Sequence, residues 1–271
     1  MHGFYVGDII GNSYTHENEK FNKKTKNFEL FTDRSKFSDD TILSFATIEW
    51  LLKTNHTSEE MLSIIKKYYK EFPNKNPTIY GPAFEKWAKE GCLTFRQSYG
   101  NGGAMRCSPI GWYAKTLTEI DDLIFKGISP THNTDSGRLG AKIVCYTIFY
   151  LKNNYSLNDV KKIISELFNL DLDENINDYR NKYTYTSDAI ETVRPALISL
   201  FNSNSFEDAI RNAVSFGGDT DTITTICSAI SEAYYKDIPY DINQKAKGYL
   251  PNKFVKLLEQ FNSYIKNNTD I

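Results

Sequence analysis

Two pairs of aspartates stand immediately before apolar segments of this chain. Asp39 and Asp40 precede "TILSFATIEWLLK", and Asp219 and Asp221 lie in "SFGGDTDTITTIC". A single aspartate at such a position is commonly an N-cap, whose oxygen accepts a hydrogen bond from a free helix N–H. Two neighbouring carboxylates exceed what capping requires, and they repel each other. Two such pairs in one chain therefore predict a shared counter-charge.

The ligand types indicate which counter-charge this is. Carboxylate and hydroxyl oxygens are hard ligands suited to Mg²⁺, Mn²⁺ or Ca²⁺. The chain has four histidines, none in a zinc-ligand spacing, and it contains neither a His-Asp dipeptide nor a DxDxDG loop. Four carboxylates balance two divalent cations, which predicts a two-metal site with ions about 3.5–4 Å apart. Since a helix N-terminus does not favour cations, we expect the helices to orient the aspartates and the aspartates to bind the metals.

A glycine-rich segment, "SYGNGGAMRCSP", spans residues 98–109. Gly100, Gly102 and Gly103 allow the backbone to approach a ligand closely, and the N–H groups of a following helix could receive phosphate. The segment matches neither the GxGxxG nor the Walker pattern. Arg106 within it is either a functional residue or a buried partner in a structural ion pair.

Two further polar residues have open interpretations. His132, in "SPTHNTDSG", is either a functional residue or a satisfied structural histidine. Asp8 lies in "GDIIGNSY" between Gly7 and Gly11, and we interpret this segment as an early helix that packs closely rather than as a catalytic element.

The dominant hydrophobic period is helical. In residues 41–53 the apolar residues recur every three to four positions, and Ser156 is a good N-cap for "LNDVKKIISELF". "GRLGAKIVCYTIFYL" is apolar on most sides, which predicts a central helix. No alternating stretch is long enough for a sheet, so we predict an all-α fold. Pro195 places a helix start near Thr192, with a long loop over "LDLDENINDYRNKYTYTS" before it.

The composition bears on domain number and on whether the protein binds nucleic acid or membranes. The chain has 271 residues, is 40% hydrophobic and carries a formal charge of −2, which fits one domain over residues 1–271 and gives no electrostatic signature for nucleic acid. No apolar run of about 18 residues or signal peptide is present, so we expect no membrane association. Four cysteines without a CxxC motif, with Cys145 and Cys227 inside apolar patterns, favour a reduced cytoplasmic setting.

Five motifs, "GDIIG", "FSDDT", "GNGGAMR", "THN" and "GGDTDT", occur in this order between about residues 5 and 235. Together they resemble the ADP-ribosylglycohydrolase family. The resemblance implies a compact, single-domain orthogonal helical bundle around two Mg²⁺ or Mn²⁺ ions, and we expect a monomer. It implies hydrolysis of an ADP-ribosyl bond at the anomeric carbon of the distal ribose. The substrate would be an ADP-ribosylated protein or a small ADP-ribosyl adduct.

The same resemblance assigns roles to individual residues. The implied metal contacts are Ser38, Asp39, Asp40, Asp219, Asp221 and Thr222. The implied contacts to the phosphates and ribose are Ser98, Tyr99, Gly100, Asn101 and Gly102, and His132 matches a histidine near the distal ribose. Among the metal contacts, Asp40 and Asp219 are the candidates for the general base.

Two departures from the family pattern leave alternatives open. Thr15 stands where the family carries a glutamate on a loop over the metals, and Glu17, two residues later, is the candidate to replace it. "THNTDSG" lacks the second histidine and the glutamate of many bacterial relatives. The alternatives are a non-catalytic ADP-ribose-binding relative and a two-metal phosphohydrolase.

Overall fold

The computed structural model describes residues 1–15, 25–74, 79–91 and 94–269. Within these ranges the chain forms helices, and its β pairing is a single isolated bridge between Gly100 and Asp188. The predicted all-α fold is confirmed. The α-helices are α1 (Gly3–Gly11), α2 (Asp39–Leu51), α3 (Ser58–Glu71), α4 (Pro82–Lys89), α5 (Gly102–Met105), α6 (Ser108–Tyr113), α7 (Leu117–Gly127), α8 (Asp135–Lys152), α9 (Leu157–Phe168), α10 (Ile176–Lys182), α11 (Ala189–Phe201), α12 (Phe206–Val214), α13 (Thr220–Tyr235), α14 (Tyr240–Lys247) and α15 (Asn252–Thr269).

Helices α8 and α13 form the centre of the bundle. Helix α8 packs against α5, α6, α7, α9, α11 and α13, and its Ile143, Val144, Cys145 and Ile148 are fully buried. This confirms the central helix that the apolar pattern predicted. Cys145 and Cys227 are both buried and free, as their apolar surroundings indicated.

Glycines bring α1 into backbone contact with α13. A Cβ added at Gly7 would overlap Ser228 and Thr224 on α13, and Ser228 Oγ donates to the Gly3 carbonyl at 2.6 Å. At the end of α1, a Cβ on Gly11 would lie 2.7 Å from the Asp221 Cα. The predicted close packing of this early helix is confirmed. As a result, the last turns of α1 lie against the first turn of α13, where the second acidic motif stands.

The start predicted for α11 was wrong. The helix begins at Ala189 rather than near Thr192, because the Asp188 side chain caps it by accepting hydrogen bonds from the N–H groups of Ile190 and Glu191. Pro195 therefore lies inside the helix, where it has no N–H to donate to the preceding turn. A strong cap and burial of most of the helix outweigh the lost hydrogen bond.

The long loop predicted before α11 contains helix α10. Asn175 caps this short helix by accepting from the N–H groups of Asn177 and Asp178. Tyr179 is buried against Phe216, with the Arg194 guanidinium 4.7 Å from the centre of its ring. These contacts come from residues distant in the sequence, so local periodicity did not reveal the helix. Ser156, by contrast, caps α9 as predicted.

No helix in the described part of the chain is long and apolar enough to cross a membrane.

Candidate active site

The first acidic motif is anchored on Asp8 of α1. The buried Asp8 carboxylate accepts hydrogen bonds from the Ser38 N–H at 2.8 Å, the Ser38 hydroxyl at 2.7 Å and the Thr41 N–H at 3.1 Å. Free N–H groups at a helix start carry partial positive charge, which favours a carboxylate there. Asp8 therefore fixes the position of the first turn of α2 relative to α1.

Capping does not account for the paired aspartates. Ser38 is the N-cap of α2, and its hydroxyl accepts from the Asp40 N–H at 3.1 Å, while Asp39 and Asp40 lie within the first turn. Asp219 occupies the N-cap position of α13 but makes no side-chain capping bond. The carboxylates are thus available for other partners.

Three carboxylates from three helices converge. One oxygen each of Asp8 on α1, Asp40 on α2 and Asp221 on α13 lie within 4.8 Å of one another. The Thr222 hydroxyl joins the two acidic motifs by donating to Asp40 Oδ2 at 3.3 Å. The other oxygen of Asp40, Oδ1, is buried and has no hydrogen-bond partner among the described residues.

These charges lack compensation by side chains. Burial, followed by the charges of Asp221 and Asp8, raises the pKa of Asp40 well above its usual range. Burial and the charges of Asp221, Asp8 and Asp219 likewise raise the pKa of Asp39. In the described part of the chain, no lysine or arginine forms an ion pair with any of these aspartates. Buried carboxylates in such a group either take up protons or bind an external cation.

The donor set fits a hard divalent cation. It consists of carboxylate and hydroxyl oxygens, and the partnerless Asp40 Oδ1 is a buried atom that a bound ion would satisfy. Asp39 and Asp219 are half-buried at the edge of the group and are not among the three converging carboxylates, although they share its electrostatic field. The structure thus brings the two predicted motifs together around Asp40 and Asp221, with Asp39 and Asp219 further out.

Asn101 connects the glycine segment to the acidic group. Its amide Nδ2 donates to Asp219 Oδ2 at 2.6 Å and to the Thr192 hydroxyl at 3.1 Å. The hydrogen bond from Asn101 lowers the pKa of Asp219, but burial outweighs it and the net shift is upward. The backbone around Asn101 is held by the residues before α11, since the Asn101 N–H donates to the Ser187 carbonyl at 2.8 Å.

The glycine segment also packs on His132. A Cβ added at Gly102 would lie 3.0 Å from Cε1 and 3.1 Å from Nε2 of the His132 ring, so a larger residue would displace the imidazole. His132 is 5% exposed, and its pKa is lowered well below the usual range by burial and by the charges of Arg106 and Arg96. The helix after the segment, α5, has only four residues.

Ser98 and Tyr99 form the outer part of the segment. The Ser98 carbonyl accepts from the Thr134 hydroxyl at 2.5 Å, and Thr134 caps α8 just beyond His132. The Tyr99 side chain is 66% exposed, and its backbone carbonyl accepts from the Ala189 N–H at 3.0 Å. The backbone of this segment is therefore fixed, while the Tyr99 ring faces solvent.

Arg106 matches neither of its two sequence interpretations fully. It is buried, as a structural ion-pair partner would be, but in the described part of the chain it pairs with no carboxylate. Its guanidinium instead donates to the hydroxyls of Thr47 and Thr131 and to the Gly127 carbonyl.

Sequence reasoning underestimated Asp8, because it assigned the whole "GDIIG" segment to close packing. The available signal was an aspartate within an otherwise apolar, fully buried helix, since a carboxylate is almost never buried without a partner. Glu17, the expected replacement for the family glutamate, lies outside the described residues. Thr15 is described, and its hydroxyl donates to the Asn12 carbonyl at 3.5 Å.

The chain is similar to known proteins in both sequence and fold. The family model for ADP-ribosylglycohydrolases matches residues 1–267. The chain is similar to human ADP-ribosylhydrolase ARH3, with 21% identity over 91% of this chain and 88% of the human protein. It is 22% identical to the bovine protein of the same name over 79% of this chain and 74% of that protein. A solved structure titled "ADP-ribosylglycohydrolase-related protein complex" superposes with a TM-score of 0.68 at 18% identity, covering 91% of this chain and 92% of that one.

Proposed function

Because this chain belongs to the ADP-ribosylglycohydrolase family, we propose that it is a metal-dependent hydrolase that releases ADP-ribose from ADP-ribosylated protein side chains or small ADP-ribosyl adducts. The observation that carries the proposal is the convergence of Asp8, Asp40 and Asp221, with a buried Asp40 oxygen that has no partner. This arrangement supports a divalent cation at the end of α1 and the starts of α2 and α13.

The proposed metal ligands are the six residues expected from the motifs: Ser38, Asp39, Asp40, Asp219, Asp221 and Thr222. Two Mg²⁺ or Mn²⁺ ions, when bound, would supply positive charge that lowers the pKa of a water molecule and attracts ribose hydroxyls. Asp8 accepts three hydrogen bonds from the first turn of α2 and would hold that turn in place for the ions.

The proposed reaction is hydrolysis at the anomeric carbon of the distal ribose. The water oxygen forms a bond to this carbon, the bond to the acceptor side chain breaks, and the acceptor leaves with a proton. Positive charge develops on the sugar ring as the bond breaks, and nearby carboxylates stabilise it. Asp40 and Asp219 are the candidates to accept the proton of the water, since burial raises the pKa of both.

The remaining predicted contacts would bind the ADP-ribose moiety. Asn101 holds the glycine segment against Asp219, so a ligand along this segment would reach the acidic group. The proposed contacts in the segment are Ser98, Tyr99, Gly100, Asn101 and Gly102. His132, which packs under Gly102, is the proposed contact to the distal ribose.

A second candidate, a non-catalytic ADP-ribose-binding protein, is favoured by Thr15. This residue carries no charge, and its hydroxyl is directed to the carbonyl of Asn12. If Glu17 does not supply the missing carboxylate, the protein would bind ADP-ribose without turning over a substrate.

The test is a product assay with ADP-ribosyl-arginine and ADP-ribosyl-serine peptides, in Mg²⁺, in Mn²⁺ and in excess chelator. Free ADP-ribose that forms only with metal supports the hydrolase. Tight binding of ADP-ribose without turnover of either peptide supports the binding protein. Release of AMP or inorganic phosphate would show hydrolysis at the phosphates, of the diphosphate or a phosphoester bond, and overturn both candidates.

A further inference from the structure

Arg106, Thr131 and His132 form a hydrogen-bonded chain that leads from the core to the glycine segment. Arg106 is 1% exposed, and its Nη2 donates to the Thr131 hydroxyl oxygen at 2.7 Å. That oxygen lies 2.8 Å from Nδ1 of His132. The direction of the second hydrogen bond determines which ring nitrogen of His132 carries the proton.

The surroundings of Thr131 decide that direction. A guanidinium only donates, so the Thr131 oxygen accepts from Arg106 and retains one hydrogen to donate. The alternative acceptor for this hydrogen is the Ile128 carbonyl, which lies further away, at 3.3 Å. That carbonyl already accepts from the N–H groups of Thr131 and His132, both at 3.0 Å. The hydroxyl hydrogen is therefore directed at Nδ1 of His132.

A neutral imidazole that accepts at Nδ1 carries its hydrogen on Nε2. Burial and the positive charges of Arg106 and Arg96 favour the neutral ring. Nε2 faces the glycine segment, since Cβ atoms added at Gly102 and Gly100 would lie 3.1 and 3.9 Å from it. Among the described residues, no acceptor forms a hydrogen bond with Nε2.

We propose that Arg106 and Thr131 are positioning residues that hold His132 in the Nε2–H tautomer, so that a neutral donor is presented to an oxygen of the ligand beside Gly100 and Gly102. The identity of this ligand as ADP-ribose rests on the proposed function, whereas the tautomer does not. Among the described residues Arg106 pairs with no carboxylate, and an ionised carboxylate in place of Thr131 could not donate to Nδ1.

The tautomer is measured on ¹⁵N-labelled, ligand-free protein in chelator by long-range ¹H–¹⁵N correlation. The four histidines are distinguished by replacing His2, His16 and His56 one at a time. We expect an unprotonated Nδ1 and a protonated Nε2 at His132. A wild-type His132 that is protonated at Nδ1 overturns the proposal.

Substitutions at Thr131 test the positioning role. Thr131→Ser keeps the hydroxyl and should preserve both the tautomer and ADP-ribose affinity. Thr131→Val removes the donor, so the two tautomers should mix and ADP-ribose affinity should fall about tenfold. The control is Thr147→Val, because the buried Thr147 hydroxyl donates only within its own helix, to the Ile143 carbonyl.

Failure of the positioning role of Thr131 and failure of the proposed function give different results. A Thr131→Val protein that folds and keeps the wild-type tautomer overturns the role of Thr131. If the wild-type protein shows the Nε2–H tautomer but does not bind ADP-ribose, the proposed function fails, and the tautomer result still supports the positioning chain.

Discussion

The Asn101 amide nitrogen lies 2.6 Å from Asp219 Oδ2, and this hydrogen bond joins the glycine segment to the second acidic motif. The two residues are separated by 118 positions in the chain. The same amide donates to Thr192 on α11, so Asn101 connects three parts of the bundle. A ligand that binds along the glycine segment is thereby placed beside the carboxylates.

Replacement of Asn101 by alanine should weaken ADP-ribose binding while leaving metal binding nearly intact. The substitution removes the contact that positions the segment and one hydrogen bond to Asp219, but it removes none of the six proposed metal ligands. We expect ADP-ribose affinity to fall about five- to tenfold, measured by calorimetry in Mg²⁺. Asn153→Ala is the control, since Asn153 is exposed at the end of α8 and its side-chain amide donates to the Phe149 carbonyl of that helix. Equal affinities for the two variants would contradict the positioning role of Asn101.

Asp40→Asn should affect stability in opposite directions with and without metal. Without metal, Asp40 is a buried carboxylate with a partnerless oxygen, so the neutral amide should stabilise the fold by roughly 1–3 kcal/mol. With Mg²⁺, the wild-type protein should gain stability from binding and the variant should gain little. Thermal unfolding in chelator and in Mg²⁺ measures both effects.

The matched control for this substitution is Asp122→Asn, which changes an exposed carboxylate paired with Lys126. It should shift the unfolding midpoint little and leave the Mg²⁺ response unchanged. Destabilisation of the Asp40→Asn protein in chelator would indicate that Asp40 already has a compensating partner.

The stability of the metal-free protein should fall as pH rises. Burial and mutual repulsion raise the pKa values of Asp39, Asp40 and Asp221 in the folded state. From about pH 4 up to these raised values, the folded chain therefore binds more protons than the unfolded chain, and each increase in pH costs stability. Bound cations favour the ionised carboxylates and oppose this loss. The difference in unfolding midpoint between Mg²⁺ and chelator should widen with pH, and a constant difference would contradict the assignment.

The parts of the fold that were predictable from sequence are those set by local patterns. The apolar surface of α8 and the Ser156 cap of α9 depend on residues that are neighbours in the sequence, and both were predicted correctly. Pro195 misled the prediction of α11, because the burial that supports this helix comes from distant segments. Helix α10 was missed for the same reason, since Tyr179 is held by Phe216 and Arg194.

In the candidate site, too, the residues that motifs indicate were predicted, and those that act through tertiary contacts were not. The types and order of the acidic motifs indicated a shared site, and the structure brings Asp40 and Asp221 together. The contribution of Asp8 was not predictable from its own segment, because its hydrogen bonds go to residues 30 or more positions away. The direction of Arg106 toward Thr131 also depends on tertiary contacts that no local pattern records.

Glu17→Gln should slow turnover strongly and change ADP-ribose affinity little. We propose that Glu17 replaces the glutamate that the family carries at the position of Thr15, and product occupies the site without needing this charge. The matched control is Glu19→Gln, which removes one negative charge from the same segment. Steady-state rates with an ADP-ribosylated peptide, combined with calorimetry on ADP-ribose, separate the two effects. Equal rates for the wild type and the Glu17→Gln variant would remove Glu17 from the site.

Gly102→Ala should disturb ligand binding through the His132 ring. The added Cβ would lie 3.0 Å from Cε1 and 3.1 Å from Nε2, so the imidazole or the glycine segment must shift by a few tenths of an ångström. Because Nε2 is the proposed donor to the ligand, we expect ADP-ribose affinity to fall about tenfold. Mg²⁺ binding should be unchanged, since the three atoms nearest to the added Cβ belong to His132 and Met105 and not to a carboxylate. Gly81→Ala is the control, because a Cβ at Gly81 meets no atom of the described residues within 4 Å and its backbone φ of −59° suits any residue. If Gly102→Ala bound ADP-ribose as tightly as Gly81→Ala, the contact between His132 and the ligand would have to be abandoned.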